Sequence, residues 1–265
     1  MKSLLKNWVE VADRISRSAR VLLCFDYDGT LTPIVATPAA ALLPEETRSL
    51  LRSLSCHPRY RLAVISGRAL NEVRSMVGLN DLIYAGNHGL ELEGNSLRFI
   101  HPAARAARTA IEESAGRLRR GLAGIAGTRI EDKGLSLSIH YRQVKPEDLD
   151  RALGIIRDIT RGPVERGEVR VSDGKKVIEI RPPVDWDKGK IVNRLAREIG
   201  RGEADGSLLT IYAGDDRTDE DAFRAIGDSG DTIRVGGANV QSAASYYLED
   251  VAPVNIFMRR LLELQ

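Results

Sequence analysis

Cysteine is scarce: Cys24 and Cys56 are the only two in 265 residues, and their spacing suits no metal centre. Cys24 lies inside an apolar run and reads as a small buried hydrophobe, and the usage as a whole fits a reducing compartment. Long hydrophobic runs are also missing. No stretch approaches the roughly 18 apolar residues needed to span a bilayer, so no membrane partner is expected. Residues 3–18 place Lys6, Glu10, Asp13 and Arg14 among apolar positions at helical spacing, which predicts an amphipathic surface helix and not a signal peptide. A cytoplasmic location is the expectation. Charge imbalance is absent too: the formal net charge is +2 with no basic tract, which excludes nucleic acid as the main partner. There is no internal repeat and no low-complexity segment. What remains is 43% apolar and 29% charged, a globular chain long enough for one large domain or two smaller ones.

The rest is organised around Val21-Leu22-Leu23-Cys24-Phe25-Asp26-Tyr27-Asp28-Gly29-Thr30-Leu31. Five apolar residues in a row read as a strand buried on both faces, and ligands of parallel sheets sit beyond the carboxyl ends of such strands. Asp26 and Asp28, at i and i+2 of an extended chain, would face the same way. Two acids there suit binding a divalent cation, attacking phosphorus or handling a proton. Strands over 61–65 and 81–85, with helices at 45–55 and 69–77, continue a β–α–β rhythm that indicates a doubly wound parallel sheet. The rhythm then breaks. A helix over 103–121, two strands about Asp132-Lys133-Gly134, a helix from Pro146 to about Thr160, and two strands about Asp173-Gly174 read as an α+β block of order αββαββ. Helices at 188–199 and 219–226 and strands at 208–213, 232–235 and 246–248 resume the first pattern, closed by a helix from Pro253. The predicted fold is therefore an α/β, doubly wound parallel (Rossmann-like) core over 1–102 and 184–265, with an inserted α+β cap over 103–183.

Three further stretches carry chemistry. Ser66-Gly67-Arg68 ends the second strand, where a hydroxyl and backbone N–H groups at a helix start can bind an anion. Asp187-Lys188-Gly189-Lys190 opens a helix with lysine, against the preference of the dipole for anions there, so Lys188 (or Lys190 in its place) has charge to neutralise. Gly214-Asp215-Asp216-Arg217-Thr218-Asp219-Glu220 crowds four acids after an apolar strand. Such acids raise one another's pKa unless a cation compensates, and Mg²⁺ is the natural one.

In this order the four stretches resemble the motifs of the haloacid dehalogenase superfamily of phosphotransferases. The resemblance implies Asp26 as nucleophile and Asp28 as acid and base. Ser66, Gly67 and Lys188 would bind phosphate, and Mg²⁺ would be held by Asp26, the Asp28 backbone carbonyl and Asp215. Asp216 supports the site, and Asp219 binds through water or orients it. Glu131-Asp132-Lys133-Gly134, His140-Tyr141-Arg142, Glu179-Ile180-Arg181-Pro182, Ala85-Gly86-Asn87-His88-Gly89 and the long acidic stretch together are similar to the trehalose-6-phosphate phosphatases. That likeness runs from about residue 20 to 263. It implies that Glu131, Lys133, Arg142 and Glu179 hold sugar hydroxyls, with Asn87 and His88 lining the core side, although His88 also reads as a structural histidine. A stand-alone, monomeric enzyme acting on a small sugar phosphate is expected, without a synthase-like segment before it. The alternatives are a phosphatase for another ester, such as sucrose 6-phosphate or mannosyl-3-phosphoglycerate, and a non-catalytic phosphoacceptor or sugar-phosphate-binding regulator.

Overall fold

The computed structural model describes residues 1–35, 37–201 and 207–264. In chain order the elements are β1 (Lys2–Ser3), α1 (Trp8–Arg17), β2 (Arg20–Phe25), α2 (Glu45–Ser55), β3 (Tyr60–Ile65), α3 (Leu70–Val77) and β4 (Ile83–Gly86). They continue with β5 (Glu91–Gly94), β6 (Leu97–Ile100), α4 (Pro102–Leu122), β7 (Arg129–Asp132), β8 (Leu137–His140), α5 (Pro146–Glu165), β9 (Arg170–Asp173) and β10 (Val177–Arg181). The last are α6 (Lys188–Ile199), β11 (Leu208–Gly214), α7 (Asp219–Ile226), β12 (Asp231–Val235), β13 (Tyr246–Leu248) and α8 (Ala252–Glu263). The chain divides into two compact units, Met1–Phe99 with Trp186–Gln265, and Ile100–Asp185.

The first unit is built on a sheet of order β1-β13-β12-β11-β2-β3-β4-β5-β6, parallel from β1 to β4. The apolar run makes β2 its centre. Side chains alternate between faces, so Val21, Leu23 and Phe25 pack into one layer with Leu51, Leu54, Val73, Phe257 and Leu261, while Leu22 and Cys24 pack into the other with Ile191, Leu195, Ala222 and Phe223. Truncating such a side chain, Leu23→Ala for one, costs about 2–5 kcal/mol. The strand order reverses between β2 and β11: β3 and β4 follow on one side, β12 and β13 on the other. The crevice at that reversal is where open parallel sheets bind ligands.

The second unit carries an antiparallel sheet of order β7-β8-β10-β9. Leu137, Ile139, Ile178 and Ile180 pack its apolar face with Ile111, Leu118, Ala152 and Ile156 of α4 and α5. The fold is thus α/β with an inserted four-stranded antiparallel sheet, as the sequence pattern indicates.

Two local expectations are corrected, and one hairpin is added. The first helix starts at Trp8 and not near residue 3, because Lys2 and Ser3 pair with Tyr246 and Tyr247 as an edge strand. The hairpin β5–β6 extends the sheet, β5 running antiparallel to β4, and its short strands carried no sequence signal. Asn95 and Ser96 turn it with φ of 50° and 63°, the left-handed pair of a tight hairpin turn. Helix α5 runs on to Glu165 through Pro163, since Ala152, Ile156, Thr160 and Pro163 form one buried stripe. That packing offsets the roughly 3 kcal/mol that proline costs in a helix interior. Among the described residues no helix is long and apolar enough to cross a membrane.

Candidate active site

Adjacent strands β2 and β11 deliver the central acids. The Asp26 N–H donates to the Ala213 carbonyl at 2.9 Å, which carries the β2–β11 pairing one residue past the strand and fixes Asp26 at the crevice. Lys188 is the first residue of α6, and Asp187 caps that helix by accepting from the Lys190 N–H at 2.9 Å. The Lys188 side chain is 2% exposed, and its ammonium donates to Asp26 Oδ1 and to Asp219 Oδ1, each at 2.7 Å. The lysine that is misplaced for the dipole is therefore neutralising buried carboxylates.

Asp219, the first residue of α7, is fully buried and fully engaged. Its Oδ1 accepts from Lys188 and from the Tyr212 hydroxyl at 2.7 Å, and its Oδ2 accepts from the N–H groups of Asp215 and Asp216 at 3.0 and 2.9 Å. Four bonds exhaust the lone pairs of a carboxylate. Asp219 orients the Asp215 loop and Lys188. Asp216 Oδ1 accepts from the Thr218 N–H and hydroxyl and from the Asp219 N–H, which shapes the same turn.

Carboxylate oxygens of Asp26, Asp215 and Asp219 lie within 4.8 Å of one another. Burial pushes the Asp26 carboxyl well above the usual range, against the pull of Lys188. Burial, then Asp219 and Asp216, push Asp215 up to about 7. Burial works against the Lys188 ammonium, but Asp26 and Asp219 outweigh it and hold the lysine charged far beyond its ordinary range. One ammonium among Asp26, Asp215, Asp216 and Asp219 leaves negative charge in excess. Gly29, at φ +82°, borders the cluster, and a Cβ there would lie 2.2 Å from Asp215 Oδ2, so only glycine leaves room for that carboxylate. Hard oxygen donors, excess negative charge and Asp219 already engaged leave Asp26 and Asp215 as the carboxylates that fit a divalent cation.

Asp28 does not share this cluster. The strand ends at Phe25, so strand alternation does not set the direction of Asp28. Asp28 is instead gripped by Arg68, which sequence reasoning did not single out. Arg68 Nη2 donates to Oδ1 and Nε to Oδ2, both at 2.7 Å. Ser66 is buried, and its Oγ accepts from the Arg68 N–H at 3.2 Å. A Cβ on Gly67 would lie 2.6 Å from His88 Cε1, so the histidine ring covers that glycine. Asn87 and His88 both take left-handed φ, 52° and 56°, held by Asn87 N–H to the Arg68 carbonyl at 2.7 Å and His88 N–H to the Ser66 carbonyl at 2.9 Å. Glu91 accepts from the Asn87 side chain at 2.7 Å and from the Leu70 N–H at the start of α3 at 3.1 Å.

In the second unit the register aligns Glu131, Ser138 and Glu179 in one row across β7, β8 and β10, and a cross-strand row shares a sheet face. His140, two residues on from Ser138, joins that face and binds Glu131 Oε2 at 2.9 Å; Lys133 lies 3.7 Å from Oε1. Burial raises the Glu131 carboxyl, but Lys133 and His140 outweigh it and hold it below the usual range. Arg142 lies beyond the end of β8 and donates to the Lys175 carbonyl at 3.3 Å.

Residues 24–252 match the family model described as Trehalose-phosphatase. This chain belongs to the trehalose-phosphatase family. Among relatives in the family, it is 34% identical to "Probable trehalose-phosphate phosphatase 3" of Oryza sativa subsp. japonica, covering 97% of this chain and 74% of that protein. It is 32% identical to "Trehalose-phosphate phosphatase B" of Arabidopsis thaliana, covering 94% and 68%. The C-terminal domain of the C. albicans trehalose-6-phosphate phosphatase has the same fold, with a TM-score of 0.76, 27% identity and coverage of 100% and 99%. The Aspergillus fumigatus trehalose-6-phosphate phosphatase follows at a TM-score of 0.67, 29% identity and 97% of each chain.

Proposed function

We propose that this protein hydrolyses trehalose 6-phosphate to trehalose and phosphate through an aspartyl phosphate on Asp26. The observation that carries the reading is the Lys188 ammonium fixed between Asp26 and Asp219, with Asp215 alongside, in a chain of this family. Asp26 is held at the strand tip as a buried carboxylate paired to a cation, ready to attack phosphorus in line. Mg²⁺, held by Asp26, Asp215 and the Asp28 backbone carbonyl, would supply neutralisation of the phosphate charge. Asp28 gives a proton to the departing sugar oxygen and then takes one from the attacking water. Lys188, Ser66 and Gly67 contribute the remaining phosphate contacts, with Asp216 and Asp219 holding the acidic turn in shape.

Glu131, Lys133 and Glu179 on the polar sheet face of the second unit, and Arg142, are assigned to sugar hydroxyls, and Asn87 and His88 are the substrate-binding candidates of the first unit. Directional donors and acceptors of this kind suit sugar hydroxyls. The test is phosphate release from trehalose 6-phosphate, glucose 6-phosphate and sucrose 6-phosphate, with and without Mg²⁺. The expected result is a Mg²⁺-dependent preference for trehalose 6-phosphate that Asp26→Asn abolishes. Preference for another ester overturns the assignment of the second unit, and full activity in Asp26→Asn overturns the nucleophile.

A further inference from the structure

The second unit fixes one carboxylate of its polar face from several sides. On β7, Ile130 packs against the apolar cluster that holds Ile139 and Ile178, so its neighbour Glu131 turns to the opposite face. Three basic side chains surround Glu131 there. His140 Nε2 binds Oε2 at 2.9 Å, Arg129 Nη2 lies 3.9 Å from the same oxygen, and Lys133 Nζ lies 3.7 Å from Oε1. Only the His140 contact is within hydrogen-bond distance. Register sets it: Arg129 pairs with His140 and Glu131 with Ser138 across β7 and β8, so His140 stands diagonal to Glu131 on one face. Lys133 is placed by the turn after β7, where its N–H donates to the Ser136 carbonyl at 2.9 Å and the Gly134 N–H to Asp132 Oδ1 at 3.0 Å. Burial works against the charged form of Glu131, but Lys133 and His140 outweigh it. Glu131 is therefore a carboxylate that only accepts, and His140 Nε2 carries the proton of their bond.

We propose that His140 is a positioning residue for sugar binding, which fixes the Glu131 carboxylate in the direction a sugar hydroxyl meets. This rests on the reading of Glu131 as a sugar-hydroxyl acceptor given above. An unrestrained glutamate has all its side-chain torsions free, and a substrate that must fix them loses part of its binding energy. The bond from His140 fixes them before substrate arrives. It takes one of about four lone-pair sites on the carboxylate and leaves the others to hydroxyl donors. His140 is itself held, as the last residue of β8, between Arg129 and Val177 of the flanking strands. A short imidazole on a central strand is a stiffer support than the long chains of Arg129 and Lys133. The pair is a weak stabiliser of the fold, because the Glu131 and His140 side chains are 21% and 32% exposed and ion pairs in contact with water contribute little. Its effect therefore falls on substrate. A carboxylate aimed in advance serves ground state and transition state alike, so the effect is on KM and not on kcat.

The experiment is steady-state kinetics with trehalose 6-phosphate and Mg²⁺ on wild type, His140→Ala, His140→Phe, His140→Gln, Glu131→Ala and the double variant of His140→Ala with Glu131→Ala. Inhibition by inorganic phosphate measures binding that involves no sugar. His140→Phe keeps the ring and loses the donor, so it remains informative if His140→Ala folds poorly. His140→Gln restores an N–H donor. The expected result for His140→Ala and His140→Phe is a KM raised about 3- to 10-fold, the size of ordering one rotamer-rich side chain on binding. The inhibition constant for phosphate stays at its wild-type value, and His140→Gln recovers most of the loss. The double variant has the KM of Glu131→Ala, because His140 acts only through Glu131. A fall in kcat at unchanged KM, an equal weakening of phosphate inhibition, or no recovery in His140→Gln makes His140 a structural residue and overturns the proposal. Additive losses in the double variant make His140 a sugar contact in its own right and overturn it as well. If Glu131→Ala raises KM and the His140 variants do not, this proposal alone has failed. If wild type does not turn over trehalose 6-phosphate, or Glu131→Ala leaves KM at its wild-type value, the underlying reading has failed and this proposal falls with it.

Discussion

The ion pair between Asp26 and Lys188 ties activity to stability at single positions. Burial pushes the Asp26 carboxyl well above its ordinary range, and the Lys188 ammonium pulls the other way while pairing with both Asp26 and Asp219. Asp26→Asn removes the attacking oxygen and a buried charge together, so it abolishes turnover and leaves the metal-free protein as stable as wild type or more so. Lys188→Met abolishes turnover as well, but strands two buried carboxylates and costs about 3–5 kcal/mol. Urea unfolding of both variants without divalent metal checks the pair; equal destabilisation would show that Lys188 is not what makes the acids bearable. These residues were readable because each violates a local rule: acids directly after an apolar strand, and a lysine at a helix start. Arg68 violates none. It sits where any strand-to-helix turn tolerates arginine, and its task appears only when the chain bends at Asp26 and carries Asp28 within reach. Tyr212 was hidden for a similar reason, being a strand residue of ordinary apolar type whose hydroxyl happens to end on Asp219.

Two helices set the spacing of the site. Lys188 and Asp219 are the first residues of α6 and α7, so the distance between those helices gauges the 2.7 Å pair. Gly189 permits the approach: a Cβ there would lie 2.4 Å from the Asp221 carbonyl oxygen and 2.8 Å from the Ala225 Cβ. Gly189→Ala must spread the helices, at about 1–3 kcal/mol by the usual cost of overpacking. It is expected to lower kcat with it, since the ammonium moves off the acids. Paired urea unfolding and steady-state rates test this. A loss of stability with kcat intact would mean that the pair does not depend on helix spacing. The elements themselves were legible from hydrophobic period, with α6 and α7 found at their observed limits. The hairpin β5–β6 was not, because strands of four residues ending in a glycine-led turn give no usable period. The row formed by Glu131, Ser138 and Glu179 is a matter of register, which depends on how three strands pair and not on what any of them contains. The sequence placed both acids in the inserted block; only pairing put them on one face.

The pH dependence of the folded chain reports the acidic cluster as a whole. The native pKa of Asp215 is raised to about 7 from an unfolded value near 4, and Asp26 and Asp219 are shifted in the same direction. For such groups the folded state binds more protons than the unfolded one, so their contribution is intact below about pH 4 and is lost as pH rises through about 7. Glu131, held below its ordinary range, and Asp216, where Lys188 and Thr218 outweigh burial, act oppositely, but their loss comes on the acid side, below the usual carboxylate range. Between pH 5 and 8 the share of the metal-free protein's stability that comes from the acidic cluster should therefore fall steadily. A divalent cation answers the same excess of charge that the protons do, and it binds the carboxylates that protons vacate. The stabilisation given by Mg²⁺ is accordingly expected to be small at pH 5 and to grow through pH 7 to 8, while Asp215→Asn flattens both trends. Thermal unfolding across this range, with Mg²⁺ and with chelator, measures it without any turnover. A Mg²⁺ shift of equal size at pH 5 and pH 8 would place the cation elsewhere than on Asp26 and Asp215, and would remove the reason for four acids to share one lysine.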